Sequence, residues 1–533
     1  MRITSLTKGM PYWPQDALPD GLIPATARLR SRVQERIGPD GSVRDPCHSR
    51  VLESALLLAL LDRTRSHPAA RARLADYLTT QCDCPEPLDR LLARTALNRH
   101  TDPADRVDMD HVLDQAPAFT GPRKGALLHA ILLLLGGAPT TPAPAPAAYR
   151  LEGLHSWARV QVIAVKAVLA HAYGEAGGIG EGELEMLRST QRAGSVWEGN
   201  LLIHLSVLHA LTPVAAEQHL VAEGIRTALA YQRGDGGIPF ICDEDTWLTV
   251  TAGVALQTAG APKPIVDAVA RRVSALQHAG GGWSYTDSAR LPDVDCTSVA
   301  AEVLHLADPL AHRASISGTL AALHTLKGPE GGFPTYLAGA PSEASMTAAA
   351  VNALTTQGPA HRHTIEAALA FLASQQRADG SFPPDWSSSR LHTVFRAVLA
   401  ASHHPSPASS SGHRIIRRAL ALVANSQNAD GGWGQQDGAA SDALSTAYAL
   451  IALSTQGSPG PAARGIRYLL TRQRPDGSIA GVPDSIGPRP FGFTVPALAD
   501  VFTLLAFGHL THRLTPARHP AHARRAEDEP ALN

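Results

Sequence analysis

Cysteine is scarce in this sequence: five occur in 533 residues, at scattered spacings. That excludes the disulfide framework of a small secreted domain. Cys82 and Cys84 form a lone C-x-C with no partner pair, which reads as structural and not as a metal site. An excess of charge is missing too: the net charge is −1, with 18% charged residues, so there is no basic surface of the kind nucleic acid requires. Long apolar runs are absent, Ala126–Leu135 being far shorter than the roughly 20 residues that span a bilayer. Residues 1–20 lack the charged start and apolar stretch of a secretion signal. The expectation is a soluble, cytoplasmic protein, monomer or homodimer, with no stable membrane insertion. Strand-like alternation persists nowhere, which points to an all-α fold.

What the chain does hold is 44% apolar residues, over a length that suits two or three domains or two large helical ones. A Pro-rich start leads into a basic helical segment, Ala25–Ile37, and then an apolar helix, Val51–Leu61. Amphipathic helices over 86–136 surround a turn at Gly121-Pro122, and Ala138–Ala148 is a Pro/Ala-rich linker. Helices resume at Leu151–Ala172, followed by an acidic, Gly-rich turn at Gly174–Glu185. From there the sequence repeats itself: Gln191 to Trp197, Gln232 to Phe240, Gln277 to Trp283, Gln376 to Phe382, Gln427 to Trp433 and Gln473 to Ser478, with a degenerate copy at Gly331-Gly332-Phe333. The later copies recur at roughly 50 residues, a period that means stacked supersecondary units. Each unit reads as a helix, a Gln near its end, a Gly-rich turn with an aromatic, a polar loop and a second apolar helix such as Thr347–Leu354 or Thr446–Leu453. Helix pairs of this kind close into α/α barrels. The tail from Thr515 has no apolar face and is expected to be disordered.

Three of the repeat loops carry unusual residues. Leu291–Ala300 reads LPDVDCTSVA, placing Asp293, Asp295 and Cys296 at the mouth of an apolar helix. Free N–H groups there can hold a carboxylate, and Asp is common at such caps in any case. A second loop carries Asp243-Glu244-Asp245-Thr246-Trp247, and a third Gly487-Pro488-Arg489-Pro490-Phe491. An acid pair, an aromatic beside carboxylates and a fixed arginine form a coherent set for cation chemistry. A carboxylic acid can protonate an alkene if burial and a like-charged neighbour keep it neutral, and aromatic faces stabilise the cation that results.

The Gln–Gly–Trp repeats, with an aspartate-rich motif one loop downstream, resemble class II terpene cyclases, and the resemblance covers nearly the whole chain. In that family the motif is D-x-D-D and its middle aspartate protonates a terminal isoprene double bond or epoxide. The resemblance implies Asp295 as the acid, Asp293 and Cys296 as the neighbours that tune it, and Trp247 in the cation pocket. Asp245, Trp283 and Phe491 join Trp247 as expected substrate-binding residues. Cys296 stands where the family usually has Asp, as in oxidosqualene cyclases, so an epoxidised substrate is one option. The family's class I relatives ionise a diphosphate through D-D-x-x-D, which this chain lacks, so the diphosphate is expected to survive. Arg489 is the first candidate to hold that anion, with Lys166, Arg123 and Lys124 behind it. Mg²⁺ assisting diphosphate binding is implied, with Glu181, Glu183, Glu185 and Glu198 as open choices, against a plain reading as a solvated helix start. His48, His392 and the pair His403–His404 show no metal spacing and read as surface or loop residues.

The expected architecture has two α/α-barrel domains, a γ-type at 30–260 and a β-type at 261–514. Residues 1–29 pack on the second barrel, and the cleft between the barrels is the site. The expected substrate is an isoprenoid diphosphate: geranylgeranyl diphosphate first, with farnesyl diphosphate or an epoxidised form as alternatives. Two other classes compete. Protein prenyltransferase β-subunits are also α/α barrels and hold Zn²⁺ through Asp, Cys and His, but they separate that Asp and Cys by one residue and need no second barrel. A non-catalytic helical-repeat scaffold leaves the D-x-D unexplained.

Overall fold

The computed structural model describes residues 12–99, 107, 113, 120–137, 144–175, 178–192, 194–403 and 410–514. The tail from Thr515, part of the 138–148 linker and His404 lie outside the described residues. Helices dominate. Among the described residues the only strand pairing longer than an isolated bridge is a short ribbon, Ser485–Ile486 against Gly492–Phe493. No helix among them is long and apolar enough to cross a membrane.

The second half is built as a double ring. Helices Asp245–Thr258, Val294–Ala307, Ala344–Thr355, Leu391–Ser402, Ala443–Gln456 and Leu498–Thr511 each pack on the next, and the last returns to the first. Outside them lie Lys263–Ala275, Arg313–Leu326, Arg362–Gln375, Ser410–Asn425 and Pro459–Arg472. The remaining outer position is filled by the chain's first helix, Leu22–Glu35, which lies against Leu498–Thr511, Asp245–Thr258 and Pro459–Arg472. In the first half, Val51–Thr64, Gly121–Leu134, Ser156–Ala172 and Leu201–Leu211 form a smaller ring. The sequence-based divisions at 29/30 and 260/261 do not match this packing. Leu22–Glu35 and Asp245–Thr258 bury their apolar faces among second-half helices, so both belong to that unit.

The repeats explain why the rings form. Each repeat Gln ties its turn to the next outer helix: the Gln277 amide donates to the carbonyls of Gly281 (2.9 Å) and Ser315 (2.8 Å), and Gln427 to those of Gly431 (2.8 Å) and Pro461 (3.0 Å). Gln473 reaches the carbonyl of Ala25 at 3.3 Å, so the same staple fastens the first helix and closes the outer ring. Glycine is required at Gly281, where φ is +87° and a Cβ would sit 2.2 Å from the Gly318 carbonyl oxygen. The copy at Gln191 departs from the pattern, its amide bonding among the described residues only to its neighbour Thr190.

The turn also sets the next inner helix. The N–H groups of Asp293 and Asp442 each donate to the preceding repeat Trp carbonyl at 2.9 Å, and each Asp side chain then caps the helix it precedes. Along Val294–Ala307, Asp295, Val299 and Glu302 stay partly exposed while most of the helix around them is buried. That spacing of four and three is one helical face, turned toward the lumen of the ring.

Candidate active site

Asp293 is buried and caps Val294–Ala307 by accepting the Cys296 N–H at 2.7 Å. Two residues on, Asp295 faces the lumen and is ion-paired with Arg396. That arginine comes from Leu391–Ser402, two places around the ring, and is itself buried. Its guanidinium lies 5.4 Å from the Trp247 ring centre and 5.9 Å from that of Phe395. The pair therefore crosses the mouth of the barrel between two aromatic faces.

The sequence led us to expect Asp295 itself to be kept neutral by burial. In the structure Asp295 has a cation beside it, and among the described residues its acidic neighbours have none. Burial, then the Asp295 charge, pushes the Asp293 carboxyl up to about 7, against the pull of the Cys296 N–H. Burial, then Asp293, Asp243 and Asp295, lifts Glu244 to about 8. Burial lifts Glu302, two turns below Asp295, to about 8, with Arg396 opposing. Among the described residues none of Glu244, Asp293 and Glu302 has an ion-pair partner of its own. Around neutral pH the cluster thus carries protons on Glu244, Glu302 and part of the Asp293 population. Burial and these acids hold the Cys296 thiol protonated.

An aromatic wall stands beside this cluster, contributed by both halves of the chain. Trp157 meets Tyr285 edge-on at 5.4 Å and Tyr336 at 5.3 Å, and His155 lies 4.7 Å from Tyr336. Trp386 meets Tyr336 edge-on at 6.1 Å and keeps 40% of its surface exposed. Further along the contact between the halves, Arg123, Lys124 and Pro488 line a cavity of about 110 Å³ with Tyr149 and Gln161. Burial, then the charges of Arg489 and Arg123, lowers Lys124 to about 8. Among the described residues none of Arg123, Lys124 and Arg489 has a carboxylate at ion-pair distance; Arg489 donates instead to the backbone carbonyls of Asp385 and Ser387. Three cations thus lie close enough to act on one another, with Asp385 the carboxylate whose charge reaches Arg489.

Residues 337–512 match the squalene-hopene cyclase C-terminal domain family. Over 501 residues, 90% of this chain and 93% of the relative, the sequence is 38% identical to a drimenyl diphosphate synthase of Streptantibioticus cattleyicolor. It is 37% identical to another from Streptomyces showdoensis, over 92% of this chain and 96% of that one. The chain belongs to the class II terpene cyclases. Its fold matches the ent-copalyl diphosphate synthase structure from Streptomyces platensis with a TM-score of 0.62, at 18% identity, covering 92% of the cyclase and 99% of that chain.

The structure corrects several residues expected to touch substrate in this cyclase. Trp283 is fully buried and donates its ring N–H to the Val273 carbonyl at 2.7 Å, just as Trp433 does to Val423, so it is part of the repeat staple. The Asp245 carboxylate accepts N–H groups of Thr246 (2.9 Å) and Asp287 (3.1 Å), with Arg44 3.8 Å away, and organises a helix start. Phe491 is buried, with the Arg50 guanidinium 5.6 Å from its ring centre. Lys166 is tied to Glu183 at 2.9 Å and so is neutralised by its own carboxylate.

The four glutamates considered for Mg²⁺ are engaged by other partners, Glu181 and Glu185 by Arg188. Glu183 is held by Lys166 and by the Gly180 N–H. Glu198 accepts from the Trp157 ring N–H (2.9 Å) and the backbone N–H of Arg290 (2.8 Å). Among the described residues no group of three or more His, Cys, Asp or Glu stands ready for a metal. Sequence reasoning missed Arg396, Glu302, Tyr336, Trp386 and Trp157 as site residues. Only Glu302 had a local signal, its spacing of seven from Asp295 on one helix.

The raised carboxyls set a pH dependence. The unfolded chain loses these protons near pH 4, the folded one near 7 to 8, so the folded state binds more protons between and its stability falls as pH rises through that window. Replacing Glu244→Gln removes one such group. The melting temperature of the variant, relative to wild type, is expected to climb between about pH 5 and 8 and level off above, measured by scanning calorimetry across that range.

Proposed function

We propose that this cyclase protonates the terminal double bond of a linear prenyl diphosphate at Asp295, folds it to a bicyclic product and releases that product with its diphosphate intact. The observation that carries the reading is the Asp295–Arg396 pair at the lumen mouth, surrounded by carboxyls that hold protons near neutral pH. An alkene is a weak base, so its donor must leave behind a well-stabilised anion. Arg396 supplies that stabilisation as the charge develops on Asp295, which lowers the barrier and not merely the ground state. Asp293, Glu244 and Glu302 supply the proton that reloads Asp295. Tyr336, Trp157, Trp386 and Trp247 face the moving positive charge without acting as bases. The wall also holds the chain in a folded shape in which each double bond lies against the next cation.

Arg123, Lys124 and Arg489 hold the diphosphate at the far end. Mg²⁺ enters this proposal only as a companion of the diphosphate, with no carboxylate of this chain assigned to it. Geranylgeranyl diphosphate leads on sequence alone, but the two drimenyl diphosphate synthases, alike over nine-tenths of the chain, favour a C15 substrate, farnesyl diphosphate. An epoxidised chain remains the second reading, favoured by Cys296 beside Asp295.

The test is incubation with C15, C20 and epoxidised C20 diphosphates, phosphatase treatment and product analysis. We expect a bicyclic C15 alcohol, and a loss of about a thousandfold or more in turnover for Asp295→Asn with substrate still bound. Turnover of Asp295→Asn near the wild-type rate sinks the assignment. Lys124→Ala is expected to raise KM about tenfold with kcat changed little, the mark of lost uniform binding in steady-state kinetics.

A further inference from the structure

A buried dyad lies between the acid and the proposed diphosphate site, and nothing so far uses it. His392, read from the sequence as a surface or loop residue, is only 5% exposed. Its Nδ1 donates to Asp385 at 2.7 Å. Asp385 also accepts from the Thr393 hydroxyl and from the Ser387 N–H (2.8 Å), so its carboxylate is fixed. Although burial pushes that carboxyl up, His392 and these donors hold it below the ordinary range, so it is an anion. With Nδ1 committed to Asp385, Nε2 is the free ring nitrogen, and among the described residues it makes no hydrogen bond.

Position gives the dyad its meaning. His392 and Arg396 are four apart on Leu391–Ser402, about 6 Å along one face. On its other side Asp385 offers its backbone carbonyl to Arg489, and its neighbour Trp386 stands in the aromatic wall. Following contacts, the order is Asp295, Arg396, His392–Asp385, Arg489. A prenyl chain bound with its terminal alkene at Asp295 and its diphosphate at Arg489 brings its middle carbons past the dyad. In a two-ring cyclisation of a C15 chain the last cation lies on the third carbon from the diphosphate, on the Arg489 side, where Asp385 meets Arg489.

Resting on the function proposed above, we propose that His392, oriented by Asp385, is the base that ends the reaction. A C–H bond beside the final cationic carbon breaks, its electron pair becomes the new double bond, and the proton goes to Nε2. Asp385 stabilises the imidazolium formed. Asp295 has given up one proton and His392 has gained one, so the isomerisation is balanced when a proton returns to Asp295. A terminating base in this place also dictates which neighbouring C–H is lost.

The test compares products of wild type, His392→Asn and Asp385→Asn on the C15 diphosphate. Asn at 392 retains a donor toward Asp385 while removing the distal nitrogen, and Asp385→Asn fills the same space without the charge. Turnover is expected to fall severalfold in both, while the ratio of the main alkene to other alkene isomers and water-captured alcohols changes by about tenfold or more. A folded His392→Asn enzyme with the wild-type product ratio overturns the proposal. So does abolished substrate consumption in a folded Asp385→Asn enzyme, since that places the dyad in the starting step. If His392→Asn does not fold, the Asp385→Asn product ratio decides by the same criterion. Wild type that converts no prenyl diphosphate is the separate failure of the function itself.

Discussion

One guanidinium set among several buried carboxyls governs this site. Arg396 reaches across the barrel mouth to Asp295, while Asp293, Glu244 and Glu302 lie close by with no ion-pair partner of their own among the described residues. Charge repulsion and burial make it costly to ionise all four acids, so protons stay in the cluster near neutral pH. The acid that has a cation is the one able to leave as an anion. In the proposed mechanism storage and delivery of the proton are thereby divided between different side chains.

The fold makes this arrangement rigid. Asp293 is fixed twice, by its N–H on the Trp283 carbonyl and by its carboxyl on the Cys296 N–H. Arg396 projects from an inner helix that the repeat staples hold in place, and the ring carrying both residues is completed by Leu22–Glu35 from the other end of the sequence. The first half meets this ring, giving Trp157 and His155 to the aromatic wall and Arg123 and Lys124 to the cavity lined also by Pro488.

The architecture was largely legible because the repeat speaks in local letters: a Gln, a positive-φ Gly and an aromatic at fixed spacing. The acid motif was legible for the same reason, since Asp293, Asp295 and Cys296 are neighbours at one helix start. Arg396 was not, being 101 residues from Asp295 and in the middle of an apolar helix with no motif around it. Trp283 shows the opposite failure. A staple tryptophan and a pocket tryptophan are the same letter, and only burial and the ring N–H bonded to Val273 tell them apart. Arg489 drew notice through its flanking prolines, whereas its closeness to Lys124 arises only where the two halves meet. The N-terminal segment was expected on the second barrel and its helix packs there, but the limit at 29/30 cuts through Leu22–Glu35, and the limit at 260/261 leaves out Asp245–Thr258, which packs in the same ring.

The most direct measurement of the central claim is infrared difference spectroscopy of the resting enzyme across neutral pH. Protonated carboxyl absorption is expected to persist at pH 7 in wild type and to disappear above about pH 8, with part of the band missing in Asp293→Asn and in Glu244→Gln. A spectrum with no protonated carboxyl at pH 7, or one left unchanged by both substitutions, contradicts the account.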